Sequence, residues 1–205
     1  AASLIKYLHH PNGCRRDNAQ KQLILLGDKS VVSDLRAMVT GHKNASALGR
    51  LHALWTLEGL DSIDKDLINA TLTDSDAQVR RAAIWVSERY LKQNDTDMIA
   101  RVGKLIDDPN YDVRTQLLLS LGSNKNPQAQ QIAQEILIRN ADNEMLNRVK
   151  KSIDRNEDSK IYGMKLGSFP APDRKLIVAG SEIYKGMCSP CHGGDGNGLP
   201  TNAAP

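Results

Sequence analysis

The residues best suited to chemistry are five in a row, Cys188-Ser189-Pro190-Cys191-His192. Two thiols separated by two residues can reach the two vinyl groups of one haem, and an imidazole directly after the second thiol can reach its iron. Cys188 and Cys191 are therefore read as the thioether attachment points of haem c, and His192 as the proximal axial iron ligand. Two other chemistries use a similar pair. A thiol–disulfide couple would need a βαβ setting, which the sequence lacks, and a zinc site would need about two more Cys or His nearby. His9, His10, His42 and His52 all lie far upstream. The glycine-rich run Gly193-Gly194-Asp195-Gly196-Asn197-Gly198 suits a chain that must fold closely round a flat porphyrin edge.

One element must deliver the first thiol. Leu176, Ile177, Gly180, Ile183, Tyr184 and Met187 recur at helical spacing and run into Cys188. The stretch from Gly180 to Pro205 resembles the first part of a class I cytochrome c domain. That resemblance implies that Gly180 and Tyr184 pack against a C-terminal helix outside this chain. It also implies that a Pro carbonyl about a dozen residues beyond the ligand His accepts the imidazole N–H; Pro205 is the candidate and Pro200 the less suited one. The second axial ligand of the family is a later Met, expected from sequence not contained here. Met187 adjoins the attachment Cys and Met164 precedes it, so both are read as packing residues. A five-coordinate iron or a His from another chain are the alternatives.

Upstream, an arginine recurs at Arg16, Arg50, Arg80, Arg114 and Arg148, spaced by 34, 30, 34 and 34 residues. Six residues before each stand His10, Asn44, Asp74, Asp108 and Asp142, most of them short polar residues that start helices by accepting a free backbone N–H. Each turn leads into an apolar helical stripe, such as Val79, Ala82, Ala83, Val86 and Tyr90, or Leu51, Leu54, Trp55 and Leu57, and a second helix precedes each turn. One repeat is a helical hairpin, which cannot bury its stripe alone and must stack on its neighbours. The Asp, Val-Arg and small-residue pattern resembles HEAT repeats, in which it implies a polar Asp–Arg ladder between successive units. The expected fold is all-α: a solenoid of about five hairpins over residues 1–155, a Gly/Pro-containing linker over 156–174, and the beginning of a cytochrome c domain over 175–205.

Composition agrees with this reading. Hydrophobic residues make up 40% and charged residues 25% of 205 residues, with one Phe. The 27 basic and 24 acidic residues are scattered without a basic stripe, which gives no case for nucleic acid. No apolar run approaches the roughly 18 residues that span a bilayer. Cys14, the third cysteine, is expected to be a small core or boundary residue. HEAT-like repeats followed by a cytochrome c segment resemble the C-terminal part of large bacterial proteins with a β-propeller dehydrogenase-like domain upstream. The resemblance implies electron transfer through haem c, for an upstream dehydrogenase domain or a redox partner protein, without substrate turnover by this segment. It also implies a periplasmic or otherwise exported protein whose signal peptide lies upstream. The rivals are a protein-binding scaffold without haem and, less favoured, an enzyme with an open iron site.

Overall fold

The computed structural model describes residues 1–41, 45–162 and 166–189, the side chains of 155–162 excepted. Among them every regular element is helical. Helix α1 (Ala2–Ile5) and a 3-10 turn (Lys6–His9) precede α2 (Gly13–Leu26). Then follow α3 (Val32–Thr40) and α4 (Ala47–Gly59), α5 (Lys65–Thr71) and α6 (Ala77–Val86), with α7 (Glu88–Leu91) extending α6. Next come α8 (Thr96–Gly103) and α9 (Tyr111–Gly122), then α10 (Pro127–Arg139) and α11 (Glu144–Tyr162), and lastly α12 (Ala171–Ile183). The chain divides into two compact units, Ala1–Lys150 and Lys151–Pro205. Helix α11 crosses the division and covers the first part of the stretch read as a linker, and α12 begins before its end. The polar run from Asp154 to Tyr162 includes the helix formers Arg155, Glu157 and Lys160, and Pro172 sits in the first turn of α12, where its missing N–H costs nothing.

In the first unit the expected hairpins are present. The second helix of each is started by one device. Asn12, Ser46, Asp76, Asn110 and Asn143 each place a side-chain oxygen on a first-turn backbone N–H. Helix α2 ends on Gly27 in the left-handed conformation, φ 62°, which a Cβ would penalise. Stacking the hairpins buries a continuous core that includes Leu23, Leu35, Leu54, Leu57, Ile84, Met98 and Leu117.

The ladder is present in the middle of the array. Arg50 donates through Nε and Nη2 to both carboxylate oxygens of Asp74, at 2.8 and 2.7 Å, with side chains only 6% and 0% exposed. Arg80 does the same with Asp108, at 2.7 and 2.9 Å. The remaining guanidinium nitrogen of each returns to its own turn, Arg50 to the Ala45 carbonyl and Arg80 to that of Asp74. Each acidic residue also accepts the amide two residues on, Asp76 for Asp74 and Asn110 for Asp108. One Asp thus starts its own helix turn and fastens the unit before it.

The ends depart from the expected pattern. Arg114 reaches Asn140, at 3.0 Å, not Asp142, which is exposed, and its Nε is left without a partner. Arg148 is outside the ladder and pairs with Glu144 on its own exposed surface. The repeat is one residue shorter here, 33 from the Asn110 cap to the Asn143 cap against 34 from Asp76 to Asn110, so the position four after the cap falls on Asn147. Its side-chain amide donates to the Ala141 carbonyl at 2.8 Å, as the arginines do to theirs. At the other end Arg16 donates to the carbonyls of His10 and Pro11, and Asn44 lies outside the described residues. His10 does locally what Asp does elsewhere, accepting the Asn12 amide on Nδ1 at 3.0 Å. Cys14 is exposed near the start of α2, where a core or boundary position was expected, because the buried stripe of that helix runs through Ala19 and Leu23.

Candidate functional site

In the second unit, α12 begins after Pro170 and ends in a wider, π-type turn, Tyr184–Cys188, closed by the Ser189 amide donating to the Tyr184 carbonyl. Such turns insert a residue into the helical register and recur at functional sites. Here the register loosens over the turn that ends at Cys188. The Ser189 hydroxyl donates to the Lys185 carbonyl at 3.0 Å and Lys185 pairs with Glu182 at 3.0 Å, which holds the end of the helix together. Cys188 is a free, partly exposed thiol. Leu176, Ile183 and Met187 lie exposed along one flank, and a Cβ added at Gly180 would meet nothing within 4 Å.

Cys191, His192, Gly193–Gly198, Pro200 and Pro205 lie outside the described residues, as does Met164. The fit of haem c is therefore tested on Cys188 and on the donor set. A free thiol at the end of a helix with an exposed apolar flank is compatible with a thioether to an apolar macrocycle. Two thiols and an imidazole within five residues are the donors such a group takes. Among the described residues no group of three His, Cys, Asp or Glu gathers to hold a metal ion.

The first unit holds a further constellation, of which the sequence reading named Trp55 alone, as part of an apolar stripe. Trp55 on α4 and Trp85 on α6 meet edge to face, with ring centroids 5.5 Å apart and planes at 88°. Trp85 remains 48% exposed and Leu119 on α9 45% exposed. All three stand five residues after a ladder arginine, so equivalent positions of three successive hairpins form one row. The repeat register could have found them: a position that is apolar in successive units yet not part of the buried stripe signals a surface row. One helical turn further on stand Glu58 and Glu88. Glu88 accepts the Ser120 hydroxyl at 2.9 Å and lies 3.5 Å from the Lys92 ammonium. Glu58 has a buried carboxylate oxygen, Oε2, without a hydrogen-bond partner. Ser87 lets the chain turn between Trp85 and Glu88 by donating its hydroxyl to the Ile84 carbonyl at 2.6 Å.

Burial pushes His52, on the same helix as Trp55, below its ordinary 6.5 and the Arg16 charge adds to this, against the opposite pull of Asp17. Its Nδ1 lies 2.7 Å from the Gln20 side-chain oxygen, a structural contact between neighbouring units.

The curated proteins contain no match to this chain. Residues 64–153, the stretch that carries the Arg80–Asp108 rung and the α5 to α11 hairpins, match the family model described as HEAT repeats.

Proposed function

We propose that the chain carries a covalently attached haem c and passes single electrons, with the HEAT-like array as its scaffold. The observation that carries this reading is the segment Cys188-Ser189-Pro190-Cys191-His192. When bound, haem iron supplies one-electron redox chemistry. Cys188 and Cys191 would hold the group through two thioethers, each formed by adding S–H across one vinyl group, an addition that needs no external oxidant. His192 would offer the iron a neutral imidazole nitrogen, and the Pro205 carbonyl would accept the other ring N–H. The solenoid performs no chemistry of its own in this reading. It serves an upstream dehydrogenase domain or a redox partner protein as a rigid spacer. Because haem c is attached outside the cytoplasm, the protein is exported, to the periplasm in a bacterium.

The test is the visible spectrum and intact mass of the chain produced with cytochrome c maturation machinery, beside a Cys188→Ala/Cys191→Ala control. A haem-sized mass increase with a c-type reduced spectrum, both lost in the control, supports the proposal. An unmodified mass favours a protein-binding scaffold without haem.

A further inference from the structure

We infer that the surface row Trp55, Trp85 and Leu119, with the cleft in which it ends, receives an extended partner segment that is apolar along the row and acidic at the Lys125 end. The inference concerns the first unit alone and holds whether or not haem is attached.

The row is apolar where it is exposed: two tryptophans in edge-to-face contact and a leucine, contributed by three successive hairpins at one register position. Exposed apolar groups gathered in one place, aromatic ones above all, mark surfaces that bind other proteins. Packed neighbouring helices lie about 8–10 Å apart, so the row runs about 20 Å from α4 to α9, which about six extended residues span. At its far end Leu119 joins the wall of a cleft of about 350 Å³, together with Glu88, Lys92, Ser120, Asn124 and Lys125.

Charge gives the occupant a direction. Glu58 stands one turn beyond Trp55 at the α4 end, and Lys125 stands three residues past the last residue of α9 at the other. Within the cleft two lysines face one carboxylate, and that carboxylate is engaged: Glu88 accepts the Ser120 hydroxyl at 2.9 Å on one oxygen and holds the Lys92 ammonium at 3.5 Å with the other. Lys125 has no ion pair among the described residues. The acidic groups of the neighbouring loops are matched as well, Asp61 by Arg89 and Asp95 by Lys65. The surplus at the cleft is therefore positive. A carboxylate arriving there meets Lys125 unopposed and can share Lys92, whose side chain is 76% exposed, with Glu88. A basic residue would meet both ammonium groups and only a carboxylate already taken. Nearer α4 an acidic residue would meet Glu58, so the acidic part of the segment belongs past Leu119 and the apolar part over the tryptophans. Exposed ion pairs contribute modestly, so the aromatic contacts supply the affinity and the lysines the choice of partner.

The chain contains two tryptophans, both in the row, so tryptophan emission reports on this surface. The probes are a synthetic peptide of about nine residues, alternating Leu and Ser for about six and ending in Glu, with an amidated C-terminus, and its counterpart with Lys for Glu. Each is titrated into the full chain. A saturable emission shift is expected with the Glu peptide, about fivefold tighter than with the Lys peptide, and the difference should shrink as salt is raised. Lys125→Glu should abolish the preference. Trp85→Ala, read by fluorescence anisotropy of a labelled peptide, should weaken binding of both peptides about tenfold. Lys125 is exposed and Trp85 half-exposed, so unchanged helical circular dichroism certifies that the variants are folded. An equal or reversed preference in the unaltered chain, no saturable shift at millimolar peptide, a preference that survives Lys125→Glu, or Trp85→Ala binding undiminished would overturn the inference. So would an emission shift that follows protein concentration alone, which would assign the row to a second copy of the chain.

Discussion

Asp74 shows how much a single ladder residue holds. Its carboxylate is fully buried, takes two hydrogen bonds from Arg50 and one from the Asp76 amide, and stands between two hairpins. Removing it leaves a buried guanidinium without a counter-charge, and a buried pair broken on one side typically costs about 3–5 kcal/mol. Asp74→Ala is therefore expected to lower unfolding stability by about 3 kcal/mol or more in urea titration. Asp97→Ala, which breaks the exposed Arg101–Asp97 pair, should cost below about 1 kcal/mol. His52 makes a pH prediction. Its folded-state titration lies below 6.5, so between the folded and unfolded values the unfolded chain binds more protons and stability falls as pH drops. The urea midpoint should decline as pH is lowered from 6.5 towards the depressed folded value, and His52→Gln should flatten that decline. Asp108 adds a similar loss further down: burial works to raise its titration, but Arg80 and the Asn110 amide overcome this and hold it below 3.8. Its contribution is thus present at neutral pH and lost as pH falls below that value. The roles of Asp74, Asp108, Arg50 and Arg80 were legible in the sequence because charge and spacing repeat together. The exposure of Trp85 is not legible from its own helix, where an aromatic reads the same whether its ring faces the neighbouring hairpin or the outside; only the register shared with Trp55 and Leu119 carries it.

At the scale of elements, the fastening between hairpins weakens along the chain. Arg50 and Arg80 each hold a carboxylate with two bonds; Arg114 holds an amide oxygen with one; in the last hairpin Asn147 reaches only its own turn. In a stacked array stability is a sum of units and interfaces, so the least fastened interface opens first. Native-state hydrogen exchange should therefore show backbone amides of α10 and α11 exchanging at a lower opening free energy than those of α4 and α6. Uniform protection from α4 to α11 would contradict this. The slip has a local cause. A repeat shorter by one residue put the cap at Asn143, and a period counted from the arginines alone selected Arg148, one position past the structural equivalent. Caps and arginines read together would have exposed the mismatch, because the cap-to-arginine spacing of four in the other units becomes five here. Helix α11 runs to Tyr162, into the first part of the stretch read as a linker: polar composition without apolar periodicity looks like loop, yet Arg, Glu and Lys within it are good helix formers.

For the whole molecule, the chain forms two compact units, and most of the described core lies in the first. The core residues of that unit, from Leu8 to Leu146, and its ladder arginines all precede Lys151. Cys188, Cys191 and His192, proposed to hold haem, all follow it. If the array folds on its own contacts, its stability owes nothing to the attachment of haem. The Cys188→Ala/Cys191→Ala chain should then unfold at the same urea midpoint as the haem-loaded chain when helical circular dichroism is followed, since the first unit contributes most of the helix. The second unit should behave differently. Leu176, Ile183 and Met187 lie exposed along α12, an arrangement that costs apolar hydration until a macrocycle or another helix covers it. Haem attachment should therefore slow amide exchange in α12 while leaving α4 to α9 unchanged. A loss of solenoid stability on removing the cysteines would mean that the units share a core, and the scaffold could not then be treated as a spacer independent of the group it carries.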